Sequence, residues 1–372
     1  MRAPIIDADG HVEEDLAWIT GVLDPDLRPL APRFARDEDG KLVNLVEGRP
    51  WRPRFPFPRG AKTHTSAGGE YRAGGRDPKV RLDVLDSEGI DAAVLYPSLG
   101  FIYALYEDPK TAAALCGANN DWLAEYCSAD PNRLIGVALL PQQDPALAVT
   151  ELERAVGRHG FVAGVIRPNR IGGRTVDDPD FEPLWEAAEA LDVPIVLHQA
   201  YEGGTVDTVG HDRVRSYTAG HVISLPFEQM TAMVGLLLAG VFERHPRLRL
   251  GFFEAGCSWA PFWVERIEEH FELAPDEFAG DPHGVLTRRS WLTFEVDEAL
   301  LPAVAGAGWA ANLCFASDFP HYDAPFPGAL DAVRRRRLDP ALERAVLGDN
   351  ALSFYGERLR RLVAPVVDAK EA

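Results

Sequence analysis

Eight short apolar runs, each closing on polar residues, constrain the fold of this 372-residue chain more than any other feature. They are Ile5 to Val12, Asp91 to Ser98, Leu134 to Gln142, Val162 to Asn169, Pro194 to Ala200, Leu248 to Gly256, Trp291 to Val296 and Asn312 to Ser317. A run that stays apolar at successive positions, instead of alternating, reads as a strand buried on both faces, the signature of a parallel sheet. Helical spacing follows these runs at Lys79 to Gly89, Pro109 to Ser128, Pro145 to His159, Phe181 to Leu191, Pro226 to Arg244 and Ala260 to Phe271. Eight strands alternating with helices predict an α/β fold, a closed (β/α)8 TIM barrel, in which chemistry sits at the C-terminal ends of the strands. Stretches from Gly328 to Arg337 and from Pro340 to Leu362 predict a C-terminal helical extension.

One domain over residues 1–372 is expected, with an insertion at 21–78 after the first strand. That insertion is rich in Pro, Arg and Gly and reads as a long loop without regular structure. Loops of that length are covers or disordered segments. The aromatics Trp51, Phe55, Phe57 and Tyr71 favour a packed cover over the site.

Charge narrows the partners. With 38 basic and 57 acidic residues, a net −19, nucleic acid and anionic membrane surfaces are disfavoured, leaving a small molecule. Arg334 to Arg337 is a short basic run that reads as a solvated helix end. Four separated cysteines without a CxxC pair read as reduced and buried, as in a cytoplasmic protein. The chain enters a strand at once, so no signal peptide is expected, and the longest apolar run, Met233 to Val241, falls short of the ~18 residues of a membrane helix.

The first run delivers Asp7-Ala8-Asp9-Gly10-His11. On a strand, residues i and i+2 share a face, so Asp9 and His11 converge, and Gly10 lets other backbone pass close by. Other strands end in Arg167 and Asn169, His198 and Gln199, Glu254, Glu295, and Ser317-Asp318 followed by His321, with His221 shortly after the fifth. Each has a plainer reading alone: His198 as a hydrogen-bonded core residue, Asp318 as a helix N-cap, Glu254 as the partner of an arginine. Together they crowd several carboxylates into one barrel mouth, where unpaired burial is costly and a divalent cation would neutralise them.

These residues resemble the amidohydrolase superfamily, specifically the amidohydrolase-related branch that holds the aminocarboxymuconate-semialdehyde, γ-resorcylate and 5-carboxyvanillate decarboxylases. The resemblance spans nearly the whole chain. It rests on Asp9-x-His11, Pro194 to His198, Gly240-Val241-Phe242-Glu243-Arg244-His245-Pro246, Ala316-Ser317-Asp318-Phe319-Pro320-His321, and Gly348-Asp349-Asn350-Ala351. It implies one divalent metal held by Asp9, His11, His198 and Asp318, with His221 matching a second-site histidine. The carboxylated lysine that bridges two metals elsewhere in the superfamily is absent, since that strand ends in Arg167. One ion is therefore expected rather than two, with Glu254 the only candidate bridge. The decarboxylases' Gly-His motif on strand six is replaced by Gly251-Phe252, with Glu254 two residues on.

The leading expectation is a metal-dependent hydrolase acting on a small cyclic or aromatic compound. Zn²⁺ is the expected ion, Mn²⁺ or Fe²⁺ the alternatives, and a metal-bound water the nucleophile. Asp318 is the expected base, with His221 or Glu254 orienting or protonating the leaving group. Arg167, His321 and Trp51 are the expected substrate contacts. The alternative is non-oxidative decarboxylation of an aromatic or unsaturated acid. A further alternative is an iron- or manganese-dependent oxygenase drawing also on Glu13. The resemblance implies a homodimer or larger homo-oligomer.

Overall fold

The computed structural model describes residues 2–36, 42–58, 73–200, 206–277, 280–322 and 324–363. Tyr71 and His64 lie outside them. The barrel strands are β1 (Ile6–His11), β5 (Ala92–Tyr96), β6 (Leu134–Gly136) with β7 (Ala138–Leu139), β8 (Gly164–Ile166), β9 (Ile195–His198), β10 (Leu250–Phe253), β11 (Ser290–Phe294) and β12 (Leu313–Phe315). All pair in parallel, and every residue in them is buried. The third barrel strand is interrupted at Val137: β6 pairs with β5 and β7 with β8. The predicted (β/α)8 order is present in full, with strand ends within a few residues of the apolar runs.

The barrel closes where β12 meets β1. Asp318 N donates to Asp9 O (3.1 Å) and His11 N to Phe319 O (2.7 Å). Just below, the Asp7 carboxylate accepts from Ser317 N (2.9 Å) and Ser317 Oγ (2.5 Å). Arg81, from α2 (Pro78–Glu88), is buried against the same seam. It donates to His11 O (2.9 Å) and Phe319 O (3.3 Å), lies 4.7 Å from the Phe319 ring centroid, and approaches Asp7 to 3.9 Å. The seam is thus pinned by a buried charge pair as well as by backbone.

The insertion carries more structure than its composition suggests. After α1 (Leu16–Val22), which is capped by Asp15, it forms an antiparallel sheet of β2 (Arg33–Arg36), β3 (Leu42–Val46) and β4 (Arg49–Trp51). The β3–β4 turn puts Glu47 and Gly48 at φ 51° and 73°, the backbone of a tight two-residue hairpin. β2 and β4 are short and polar, and β3 (Leu42-Val43-Asn44-Leu45-Val46) is apolar without alternation, so the stretch shows no hydrophobic period and the sequence reads as loop.

The helix after β9, α3 (Tyr217–Leu238), begins nine residues before the expected Pro226, which sits inside it. Ser216 Oγ caps it by accepting from Ala219 N at 3.2 Å, a start that the proline overshadowed. At 22 residues this helix is long and apolar enough to cross a membrane, which the run Met233 to Val241 understated. It packs on the barrel instead: Gln229 Nε2 donates to Leu197 O and Phe253 O, 2.7 Å each, and Met233, Leu236 and Leu237 are buried.

Candidate metal centre

The site begins with an irregularity in β1. Its pairing with β5 slips between Asp7 and Gly10, so two residues oppose one. A bulge of this kind re-aims side chains. Asp7 turns into the seam, and Asp9 and His11 turn into the mouth. Gly10 is required by packing: a Cβ there would stand 2.5 Å from Arg81 Nη2 and 2.7 Å from Asp7 Oδ2.

Asp9 Oδ1 lies 3.2 Å from His198 Nε2 and 3.6 Å from His11 Nε2. The far nitrogen of each ring is held by backbone, His11 Nδ1 at 3.0 Å from Pro97 O and His198 Nδ1 at 2.8 Å from Gln199 O. Carbonyls only accept, so both Nδ1 atoms carry a proton and both Nε2 atoms face inward, that of His198 within hydrogen-bond distance of the Asp9 carboxylate, where a bound cation would take their lone pairs. Burial, then the neighbouring His321 and His198, hold His11 well below the usual imidazole range, in the neutral form that binds metals. His11 Nε2 is fully buried and has no hydrogen-bond partner among the described residues.

Two carboxylates complete the nest from the ends of β10 and β12. Glu254 and Asp318 have φ of 64° and 53°, left-handed values that non-glycine residues rarely adopt and that concentrate at functional sites. Strand alternation therefore does not set the direction of Glu254; the kink after Phe253 does. Its Oε2 stands 3.6 Å from His198 Nε2 and 3.9 Å from His11 Nε2. Asp318 Oδ1 is 3.5 Å from His11 Nε2 and 2.6 Å from His321 Nδ1. The His321 ring lies 4.0 Å from that of His11, and its Nε2 contacts Ser98 Oγ at 2.9 Å.

Asp9, His11, His198 and Glu254 bring ligand atoms within 4.8 Å of one another, and so do His11, Glu254, Asp318 and His321. Inward imidazole lone pairs facing carboxylates fit a divalent cation, whose ligands at ~2.1 Å stand roughly 3–3.5 Å apart. The four residues expected as ligands are thus gathered at one mouth, with Glu254 beside the two histidines. Glu13 and Glu14 do not join them. Glu13 faces Arg76 at 3.0 Å, and Glu14 accepts from Ser98, Leu99 and Gly100 N and from Asn119 Nδ2. Glu295 is exposed beyond the end of β11.

A cavity of about 260 Å³ opens above the nest. Trp51 and His321, two of the three expected substrate contacts, and His221, an expected catalytic group, line it together with Phe101, Tyr217 and Tyr322. Phe57 from the cover packs edge-on between Tyr217 (5.1 Å) and Tyr322 (5.0 Å), and Tyr217 stacks on His221. Arg167 does not line this cavity. It is buried, and its guanidinium donates to Asn169 Oδ1, Gln199 Oε1 and Ala200 O. Ser98 was findable by the same rule that found the rest, a polar residue closing an apolar run. Tyr217 and Tyr322 carried no local signal.

Fold and site together define a (β/α)8 barrel enzyme with a carboxylate–imidazole nest at its catalytic face. The Amidohydrolase family model matches residues 6–356, and the chain belongs to that family. It is 28% identical over 286 residues to 2-amino-3-carboxymuconate-6-semialdehyde decarboxylase of Dictyostelium discoideum, covering 75% of this chain and 77% of that one. Among solved structures it is similar to an amidohydrolase of Mycobacterium avium subsp. paratuberculosis, with a TM-score of 0.79, 22% identity, and 96% and 98% of the two chains covered. It is also similar to a dihydroxybenzoic acid decarboxylase of Polaromonas solved with bound manganese and 2-nitroresorcinol. There the TM-score is 0.68, the identity 21%, and the coverage 97% and 100%.

Proposed function

We propose that this enzyme removes CO₂ from an aromatic acid by divalent-metal-dependent, non-oxidative decarboxylation. The relatives favour this over the hydrolysis that the strand-six substitution suggested. The observation that carries it is the Asp318–His321 pair, 2.6 Å apart, at the edge of a metal-compatible nest and beneath aromatic cavity walls. Asp9, His11 and His198 would hold the cation, with Glu254 and Asp318 flanking it. When bound, the cation supplies a chelating centre for the substrate's acid group and an adjacent oxygen. Manganese in the Polaromonas structure supports Mn²⁺ as the first ion to test, ahead of the Zn²⁺ expected from the ligand types.

Trp51, Phe101, Tyr217 and Tyr322 would hold a flat ring against the nest. Asp318 and His321 would deliver a proton to the ring carbon that bears the carboxylate. The C–C bond then breaks, its electron pair returns to the ring, and CO₂ leaves, so that carboxylate plus proton becomes arene plus CO₂. Ser98 at His321 Nε2 and the His11 ring beside it fix the imidazole plane. The test is CO₂ release from a panel of hydroxybenzoates by the Mn²⁺-loaded protein. Release from at least one member is expected, and silence across the panel from folded, metal-loaded protein overturns the reading.

A further inference from the structure

All three imidazoles of the nest touch one short turn, Pro97 to Phe101, which follows β5. Pro97 O holds His11 Nδ1 at 3.0 Å. Ser98 Oγ holds His321 Nε2 at 2.9 Å. The Phe101 ring stacks on His198, with 5.1 Å between centroids and 20° between planes. Between these contacts the turn gives three successive N–H groups to a single carboxylate outside the nest. Glu14 accepts from Ser98 N at 3.1 Å, Leu99 N at 2.9 Å and Gly100 N at 2.8 Å. We propose that Glu14 is a positioning residue: by locking this turn it sets the planes of His11, His198 and His321 together. Its kinetic consequence rests on the decarboxylase reading of the mouth; the orientation of the rings does not.

Three observations converge on it. The first is capping. Ser98 is the N-cap of the short 3-10 helix Leu99–Leu105, yet its side chain makes no cap, because Oγ is turned to His321. Serine ordinarily caps with that oxygen. Glu14 caps the helix in its place and frees Ser98 for the imidazole. The second is charge. Glu14 is buried, and no Lys or Arg pairs with it among the described residues. Its charge is answered by the row of N–H groups, an anion nest, and by Asn119 Nδ2 at 3.1 Å. A carboxylate held only by donors of one turn fixes that turn closely. The third is space. A Cβ on Gly100 would stand 2.9 Å from Glu14 Oε1 and 2.7 Å from Asn119 Nδ2, so the backbone closes on the carboxylate with no room for a side chain. The end of β1 is tied to the same turn on the other side of His11, where Val12 N donates to Tyr96 O at 3.1 Å. Outer hydrogen bonds of this kind orient metal-binding histidines; here one carboxylate governs them for several rings at once.

A merely structural Glu14 would lower stability and leave the rings as they are. The test uses full-length protein and Glu14→Gln, which keeps the size but turns one acceptor oxygen into a donor facing backbone N–H groups. In metal-free, ¹⁵N-histidine-labelled protein, the wild type is expected to show His11 with its proton on Nδ1, and the variant a mixture of tautomers at His11 and altered signals from His321. Mn²⁺ affinity is expected to fall ~10-fold and kcat ~10–100-fold, with KM nearly unchanged. Ser98→Ala, which cuts only the link to His321, is expected to lower kcat with Mn²⁺ affinity unchanged. The double variant should lose less than the product of the two single losses, since Glu14 acts on His321 through Ser98. If Glu14→Gln does not fold, Glu14→Asp, which keeps the charge but draws it back from the turn, carries the same expectations. A folded variant with lower Tm but wild-type histidine signals and Mn²⁺ affinity overturns the proposal, and so do losses that multiply in the double variant. Wild-type silence toward every hydroxybenzoate overturns the decarboxylase reading alone, because the histidine signals still decide the role of Glu14.

Discussion

Asp7 and Asp9 sit two residues apart on one strand, both fully buried, and the molecule treats them in opposite ways. Asp7 is answered from inside the protein. Ser317 gives it two hydrogen bonds, Arg81 a counter-charge at 3.9 Å, and the whole group locks the last strand to the first. Burial still pushes the Asp7 carboxyl above its usual range, so these partners only partly offset desolvation. Asp9 instead faces the Nε2 atoms of His198 and His11, at 3.2 and 3.6 Å, with no Lys or Arg paired to it among the described residues. A buried carboxylate surrounded by donors is architecture; one surrounded by acceptors is a place for a cation. The one-residue slip between β1 and β5 makes that difference.

The contrast can be broken at several points. The largest effect is expected at the mouth: Asp318→Asn should lower kcat for CO₂ release by ~10²–10⁴-fold, measured at saturating Mn²⁺. Next, Asp7→Ala should unfold the protein at lower denaturant by ~3–5 kcal/mol, because Arg81 is left buried without its counter-charge. Asp9→Asn sharpens the comparison. In metal-free protein it should be no less stable than wild type, since it removes a charge the chain does not compensate, yet it should lose Mn²⁺ binding by titration. Removing metal from the wild type should lower Tm, and restoring Mn²⁺ at 100 times its Kd should return ~2.7 kcal/mol.

Glu228 supplies an intermediate case and the smallest effect. On α3 it is buried and accepts from Val209 N at 2.5 Å, with Arg167 and Asp207 the charged groups acting on it. Burial pushes its carboxyl up to about 7. A raised acid binds more protons folded than unfolded, so its contribution to stability falls as pH rises from the unfolded value toward 7. Glu228→Gln should therefore raise Tm at pH 8 and leave it nearly unchanged at pH 4. An equal gain at both pH values would remove Glu228 as the cause.

Much of the site was legible because barrels put chemistry at strand ends, and strand ends are visible as apolar runs that stop at a polar residue. Asp9, His11, His198, Glu254 and Asp318 all surfaced that way. Arg167 surfaced by the same rule yet lies outside the cavity lining, since a strand end shows position and not direction. The cover sheet stayed hidden because strands such as Arg33–Arg36 bury too little to show a period. The start of α3 stayed hidden because a proline outweighed a serine cap.

By itself the sequence determined the order of strands and helices, the acidic charge balance, and which polar residues arrive at the mouth. These follow from local periodicity and from charge, which need no knowledge of neighbours. Only the tertiary structure decided which carboxylate is architecture and which faces the nest, which imidazole nitrogen points inward, and how Glu254 divides its oxygens between His198 and His321. Those outcomes depend on a bulge, two left-handed kinks and a seam between residues some 310 positions apart, and no local pattern encodes such meetings.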